Sequence, residues 1–125
     1  MLKVKQVTPM LLTDDLAASI RFYEGLGFTV GFTEPSQNYA YVYCEGAALR
    51  LLHAEPEVNL ESVDAQHIVY FDVDDVDALF ESMKPFLDTL PTERVRAPFD
   101  QYYGQRELHV IEGPHLLMFG QEIKS

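Results

Sequence analysis

The sequence predicts an α+β fold built from two tandem β-α-β-β-β modules. The first observation is a repeat, in which residues 11–18 resemble residues 71–78 at an offset of 60 positions. In both copies an apolar run ends at paired aspartates, and apolar residues then recur every three or four positions. This pattern indicates a strand, a helix N-cap and an amphipathic helix. The second observation is that residues 46–55 resemble residues 113–122 at an offset of 67.

The first module is expected within residues 1–54 and begins with a strand over about 4–12. Thr13 or Asp14 is expected to cap a helix over 15–24, and Gly25 and Gly27 are expected to end it. The remaining strands are predicted at 28–32, at 39–44 and at 47–53. A breaker-rich turn over 34–38 precedes the last two, which form a hairpin.

The second module is expected within residues 66–122, after a linker over 55–65. Its predicted elements are a strand at 67–73, a helix at 75–86, and strands at 94–99, 107–111 and 116–119. A half of about 60 residues would be marginally stable alone, because it buries only about 60% of its unfolded surface. We therefore expect the halves to share one core in a single domain, 1–125.

Composition narrows the classes of function. The 125 residues carry 20 acidic and 9 basic side chains, a formal net charge of −11. A phosphate backbone would be repelled, so a nucleic-acid partner is not expected. The sequence has no apolar run of about 18 residues, so a membrane partner is not expected either. One cysteine, Cys44, fits a reducing compartment, and a cytoplasmic protein is predicted.

Three segments carry a family resemblance. They are Thr-Asp-Asp-Leu-Ala-Ala-Ser-Ile-Arg-Phe-Tyr-Glu-Gly-Leu-Gly-Phe at 13–28, the second-copy run at 71–79, and Tyr-Gly-Gln-Arg-Glu at 103–107. With the repeated module, they resemble the vicinal oxygen chelate superfamily, which includes glyoxalase I, extradiol dioxygenases, fosfomycin-resistance enzymes and bleomycin-resistance proteins. The resemblance implies mixed, curved sheets that form an open cup or incomplete barrel around a ligand.

Metal-using members of this superfamily take ligands from the first and last strands of each module. The resemblance maps those positions to Thr8, Leu51, Ile68 and Met118. None of these side chains is a histidine, carboxylate or thiolate, the ligands that zinc, iron and manganese prefer. The chain is therefore expected to need no metal or other cofactor. It is closest in character to the metal-free, bleomycin-resistance-like branch.

Aromatic and acidic residues remain as candidates for ligand binding. Strand alternation places Tyr39, Tyr41 and Tyr43 on one face of one strand. Tyrosine rings suit amphipathic ligands and hold cations over their faces, and nearby carboxylates would add attraction for a cation. The predicted ligand-binding residues are Thr8, Phe32, Tyr39, Tyr41, Tyr43, Leu51, Ile68, Tyr70, Asp72, Tyr102, Tyr103, Glu107 and Met118.

The favoured hypothesis is a small-molecule-binding protein that sequesters a cationic amphipathic or aromatic compound. The branch it resembles forms homodimers with grooves at the subunit boundary, which implies a homodimer here, although that branch uses tryptophans and this chain has none. One alternative is a glyoxalase-like lyase or isomerase that uses a displaced metal site or acid/base residues such as His53, Asp72 or Glu107. Another alternative is a degenerate member of the superfamily that serves only as an interaction or regulatory module. For the tyrosine stripe itself, the alternatives are packing against a partner subunit and a half-exposed position on an ordinary sheet.

Overall fold

The computed structural model describes residues 1–34, 38–60 and 67–124, and the chain divides into two compact units, Met1–Val58 and Asn59–Ser125. Each unit is a β-α-β-β-β module, which confirms the predicted α+β class and the tandem duplication. Part of the predicted turn, 35–37, and part of the predicted linker, 61–65, lie outside the described residues. The single shared domain stays a prediction.

The first module contains a mixed four-stranded sheet. Its elements are β1 Met10–Thr13, α1 Leu16–Leu26, β2 Thr29–Glu34, β3 Tyr39–Cys44 and β4 Ala47–His53. The strand order is β1-β4-β3-β2, with β1 parallel to β4 and the other neighbours antiparallel. The hairpin strands β3 and β4 have the predicted bounds.

The second module repeats this topology. Its elements are β5 His67–Asp72, α2 Val76–Leu87, a short 3-10 turn Thr92–Arg94, β6 Val95–Asp100, β7 Gln105–Glu112 and β8 His115–Glu122. The order β5-β8-β7-β6 again joins the first and last strands in parallel. The two edge strands of each sheet, β1 and β2 in the first and β5 and β6 in the second, are not paired with each other. Neither sheet therefore closes on itself. Among the described residues, no helix is both long and apolar enough to cross a membrane.

The two helices begin in the same way. Asp15 and Asp75 are the N-caps, and one carboxylate oxygen of each accepts the backbone N–H three residues later at 3.0 Å. The prediction of Thr13 or Asp14 as the first cap is therefore wrong. Gly27 ends α1 with a positive φ of 119°, a conformation that glycine adopts without steric cost, whereas Gly25 lies inside the helix.

The first strand is shorter than predicted. It begins at Met10 rather than at residue 4, and the apolar side chains of Leu2, Val4 and Val7 are exposed. Pro9 has no N–H to donate to a ladder, and its carbonyl accepts the Arg50 N–H at the point where the parallel pairing with β4 begins.

Each helix packs on one side of its own sheet. In the first module, α1 and the sheet bury Phe22, Tyr23, Leu26, Val42, Leu49 and Leu51. In the second, α2 and the sheet bury Val76, Met83, Leu87, Leu108, Val110 and Leu117. The side chains that alternate with these point to the other side, which the module's own helix leaves uncovered. We call these sides the first open face, centred on Tyr41 and Arg50, and the second open face, centred on Glu107.

Candidate functional site

A buried carboxylate lies at the centre of the second open face. Glu107 of β7 is 0% exposed and accepts hydrogen bonds at both oxygens. The hydroxyls of Tyr70 and Tyr103 donate to Oε2 at 2.9 and 2.6 Å. Gln101 Nε2 donates to Oε1 at 3.2 Å, and His109 Nε2 lies 2.8 Å from the same oxygen. The acceptor capacity of this carboxylate is therefore well satisfied, as a buried charge requires.

Gly120 allows Tyr70 to reach this carboxylate. Tyr70 lies on β5, and β8 separates β5 from β7 in the sheet. Glu107 is paired in register with Gly120 of β8, and a Cβ built on Gly120 would overlap the Tyr70 hydroxyl. The phenol therefore crosses β8 through the space that the missing side chain leaves. Glycine inside a strand often marks a place where another group approaches the backbone closely.

The hydrogen bonds determine the charge of the cluster. Burial alone would raise the pKa of Glu107, but the donors Tyr103, His109, Tyr70 and Gln101 together hold that pKa below its ordinary value. The hydrogen bond to Glu107 raises the pKa of Tyr103 to about 12. Burial, followed by the bond to Glu107, raises the pKa of Tyr70. At neutral pH the cluster is thus an ionised carboxylate beneath two neutral phenols, and the carboxylate is a weak base.

The first open face carries the tyrosine stripe. Tyr39, Tyr41 and Tyr43 project from one side of β3, with the Tyr41 and Tyr43 ring centroids 6.3 Å apart. Phe32 of β2 lies beside Tyr39 at 6.1 Å. Gly31 lies under the stripe, because a Cβ there would be 3.1 Å from both the Tyr41 and the Tyr43 rings. Four aromatic side chains therefore form a continuous apolar surface with hydroxyl groups.

The sequence interpretation missed Arg50, which lies in the middle of this face. It is paired in register with Tyr41, its guanidinium carbon lies 5.3 Å from the Tyr41 ring centroid, and its Nη1 donates to the Tyr39 hydroxyl. The signal in the sequence is the alternation on β4, where Arg50 separates the buried Leu49 and Leu51. That alternation places it on the side of the tyrosines.

A shallow depression of about 350 Å³ adjoins the stripe. It is lined by Gln6, Val7, Tyr41, Tyr43, Cys44, Gly46, Ala47 and Ala48. Thr8 lies at its border, because Gln6 Nε2 donates both to Thr8 Oγ1 at 2.9 Å and to the Tyr41 hydroxyl at 3.3 Å. Burial raises the pKa of the Cys44 thiol, so this thiol is a poor nucleophile.

The other predicted site residues of the second module lie around the Glu107 cluster or at its margin. Met118 is paired in register with both Tyr70 and His109, at the centre of the sheet. Asp72 is exposed at the end of β5, and Ile68 is 64% exposed. Tyr102 is almost fully exposed, and its ring contacts that of Tyr103 edge-on at 5.1 Å.

The predicted placement of Leu51 on the ligand side is wrong. Leu51 is 1% exposed and lies on the side of the sheet that α1 covers. The hairpin of the first module pairs Cys44 with Ala47, and that of the second pairs Glu112 with His115. The strands β4 and β8 therefore align at an offset one residue larger than the offset of 67 in the sequence repeat. A shift of one residue moves a strand side chain to the opposite face. The structural equivalent of Met118 is therefore Arg50.

The residues at the superfamily's metal positions do not fit a divalent ion. After this correction the positions hold Thr8, Arg50, Ile68 and Met118, which include no carboxylate, imidazole or thiolate. Within the described ranges, no group of three or more His, Cys, Asp or Glu side chains could hold a metal ion.

The sequence of the chain matches a known protein family. The sequence model of the glyoxalase/bleomycin resistance protein/dioxygenase superfamily matches residues 4–117. No curated protein matches the chain.

Several solved structures have a similar fold. The bleomycin-binding protein of bleomycin-producing Streptomyces verticillus, complexed with copper(II)-bleomycin, has a TM-score of 0.74 and 22% identity over 100% of both chains. A bleomycin resistance determinant encoded on the transposon Tn5 has a TM-score of 0.76 and 20% identity, over 95% of this chain and 98% of that one. The fosfomycin resistance protein of Listeria monocytogenes has a TM-score of 0.70 and 14% identity, over 96% and 94%.

Proposed function

This chain belongs to the glyoxalase/bleomycin resistance protein/dioxygenase superfamily, and from that premise we propose that it binds a cationic aromatic small molecule and releases it unchanged. The observation that carries the proposal is the ionised Glu107 beneath the half-exposed rings of Tyr70 and Tyr103. Sequestration would keep the compound away from its target. The bleomycin complex of the Streptomyces verticillus protein supports a small-molecule ligand for this fold.

The charge of Glu107 supports a cationic ligand. Its hydrogen-bond partners are two phenols, an amide and an imidazole, so no lysine or arginine among the described residues neutralises it. A charge held in a region of low dielectric acts over a longer distance than one in water. Asp72 on the same face adds a second carboxylate. The second open face therefore attracts a cation.

The tyrosine rings support an aromatic or alkylated cation. Tyr70 is 37% exposed and Tyr103 is 48% exposed, so parts of both rings face solvent. Each phenol donates a hydrogen bond to Glu107, which increases the electron density of its ring and strengthens the attraction of that ring for a cation. Phenol rings also offer flat apolar area for stacking. Met118, the register partner of Tyr70 and His109, adds a flexible apolar side chain on the same face.

The geometry favours binding over catalysis. A general base works best when its pKa lies near the operating pH, whereas the hydrogen bonds hold the pKa of Glu107 below its ordinary value. His53, another acid/base candidate, is exposed, and its Nδ1 lies 2.9 Å from a backbone carbonyl oxygen. We also propose that the protein forms a homodimer and lies in the cytoplasm. The lone Cys44 supports the cytoplasmic location, because disulfides are rare there.

Calorimetric titration of the chelator-treated protein with metal-free bleomycin tests the proposal. We expect binding that weakens as salt is raised, because salt screens charge attraction. Glu107→Gln should weaken binding, whereas Glu81→Gln makes the same change in net charge at an exposed position of α2 and should not. Absence of heat and of thermal stabilisation would reject bleomycin as a ligand. Equal affinities of the two variants would reject the Glu107 site.

A further inference from the structure

We propose that the first open face holds a second ligand site, which takes the carboxylate or another oxyanion of an aromatic small molecule at Arg50. This site lies in the other module from the Glu107 cluster and selects the opposite charge. It therefore goes beyond the proposed cation-binding function and stands on separate observations.

The first observation is that Arg50 has no acidic partner among the described residues, in a chain with 20 acidic side chains and 9 basic ones. The lysine and arginine ion pairs of the described residues join Lys84 to Asp88, Arg94 to Glu112, and Arg106 to Asp77 and Asp100. Arg50 is instead half-buried against the Tyr41 ring. Burying a cation without a counter-charge costs free energy, which an anionic ligand would recover.

The second observation is a set of hydrogen-bond donors that point to the same face. The Tyr39 hydroxyl accepts a hydrogen bond from Arg50 Nη1, and the Tyr41 hydroxyl accepts one from Gln6 Nε2. Each hydroxyl therefore keeps its own proton for an acceptor. No described residue accepts either proton. Two phenol protons and the remaining guanidinium N–H groups form a donor set suited to a planar carboxylate, which a guanidinium binds through two parallel bonds.

The third observation concerns the apolar part of the ligand. Phe32 and Tyr43 are 55% and 43% exposed on this face, so their rings are available for stacking. The adjoining depression of about 350 Å³ shares Tyr41 and Tyr43 with the stripe and lies at the lower end of the range for small-molecule sites, roughly 300–1,000 Å³. A flat aromatic ring in this depression would place its carboxylate near Arg50.

The test is a titration of the full chain with 2-naphthoate, with neutral 2-naphthamide as the matched probe. We expect 2-naphthoate to bind more tightly than the amide. Arg50→Gln should weaken 2-naphthoate binding about tenfold or more, because hydrogen bonds to charged groups carry this difference. Arg50→Lys keeps the charge without the guanidinium fork and should lie between the two. Arg21→Gln removes an exposed charge on α1 and should leave affinity unchanged.

Two results would overturn the proposal. One is equal affinity for the carboxylate and the amide. The other is equal weakening by Arg50→Gln and Arg21→Gln, which would show a general effect of net charge. Amide NMR spectra of Arg50→Gln establish that the sheet is intact, and Arg50→Lys supplies a second reading if it is not. Failure here leaves the Glu107 proposal standing, because bleomycin and Glu107→Gln test a different face with the opposite charge.

Discussion

The two modules have the same topology but present opposite charges on their open faces. The first face centres on the cation of Arg50, and the second on the carboxylate of Glu107. Tyr39, which is paired with Leu52, is the structural equivalent in the first sheet of Glu107, which is paired with Gly120 in the second. The helix-covered sides are apolar in both modules. Core packing therefore constrained one side of each sheet, while the other side was free to acquire different chemistry.

A difference in two paired positions explains much of the contrast. In the first module Met10 is the neighbour of Arg50, and in the second Tyr70 is the neighbour of Met118. Tyr70 reaches its carboxylate because β8 has glycine at position 120. The first sheet has Met10 at the position equivalent to Tyr70 and Leu52 at the position equivalent to Gly120. No phenol therefore crosses the first sheet from β1.

The largest expected effect comes from Glu107→Gln. The amide keeps the shape but loses the charge, and its N–H groups face existing donors. We expect the free energy of unfolding to fall by about 2–3 kcal/mol, as for hydrogen bonds to a buried charge. Tyr39→Phe, at the equivalent place in the first module, should cost about 1 kcal/mol or less. Urea denaturation measures both, and equal losses would contradict the contrast between the modules.

Acidification provides the control for this variant. The folded state lowers the pKa of Glu107, so its stabilisation is present above the unfolded pKa, near 4.5. That stabilisation is lost as pH falls through the lower, folded value. The difference in stability between the wild type and Glu107→Gln should therefore shrink in acid. A difference that stays constant down to the acid transition would show that packing, rather than charge, explains the loss.

Gly120→Ala should have the next largest effect. The new methyl group overlaps the Tyr70 hydroxyl, so the ring must rotate away and leave Glu107 with one donor fewer. We expect a loss of about 1–2 kcal/mol. Gly31→Ala is the matched control in the first module, where small movements of the Tyr41 and Tyr43 rings accommodate the methyl group. Thermal unfolding compares them, and a larger loss in Gly31→Ala would refute the role assigned to Gly120.

The helix caps should respond equally in the two modules. Asp15→Ala and Asp75→Ala each remove a side-chain bond of 3.0 Å to the first turn of a helix. Each should cost about 1 kcal/mol, as is usual for an N-cap. Calorimetric unfolding of the two variants measures the costs. A difference larger than the typical cost of one cap would show that the modules diverge in their helices as well as on their open faces.

The smallest effect concerns Tyr103 at high pH. Its folded pKa of about 12 lies above that of a free tyrosine, so its contribution to stability is complete below about 10 and disappears as pH rises through the folded value. Spectrophotometric titration should show a phenolate step near pH 12 that Tyr103→Phe removes, while Tyr102→Phe should leave that step in place. Loss of that step in Tyr102→Phe would reassign it.

Most of the fold could be predicted from the sequence, because periodicity and aspartate caps are local signals. The hairpin of β3 and β4 and the positions of both helices follow from them. The Glu107 cluster could not be predicted in full. Its partner Tyr70 meets it through the parallel register of β5 with β8, whereas Gln101 comes from the turn between β6 and β7. The error at Leu51 has a similar cause, because one residue in a turn decides which face a side chain occupies.

The parallel pairing of the first and last strands also has a kinetic consequence. It joins Met10 to Arg50 and Tyr70 to Met118, the strand pairs that lie farthest apart along each module. Closing such long loops costs more entropy than forming the hairpins of neighbouring strands, so we expect β1 and β5 to dock last during folding. The bond from Tyr70 to Glu107 then forms at the final step. The hydrogen-bonded carboxylate cluster of the second open face is thus completed at the moment its sheet becomes complete.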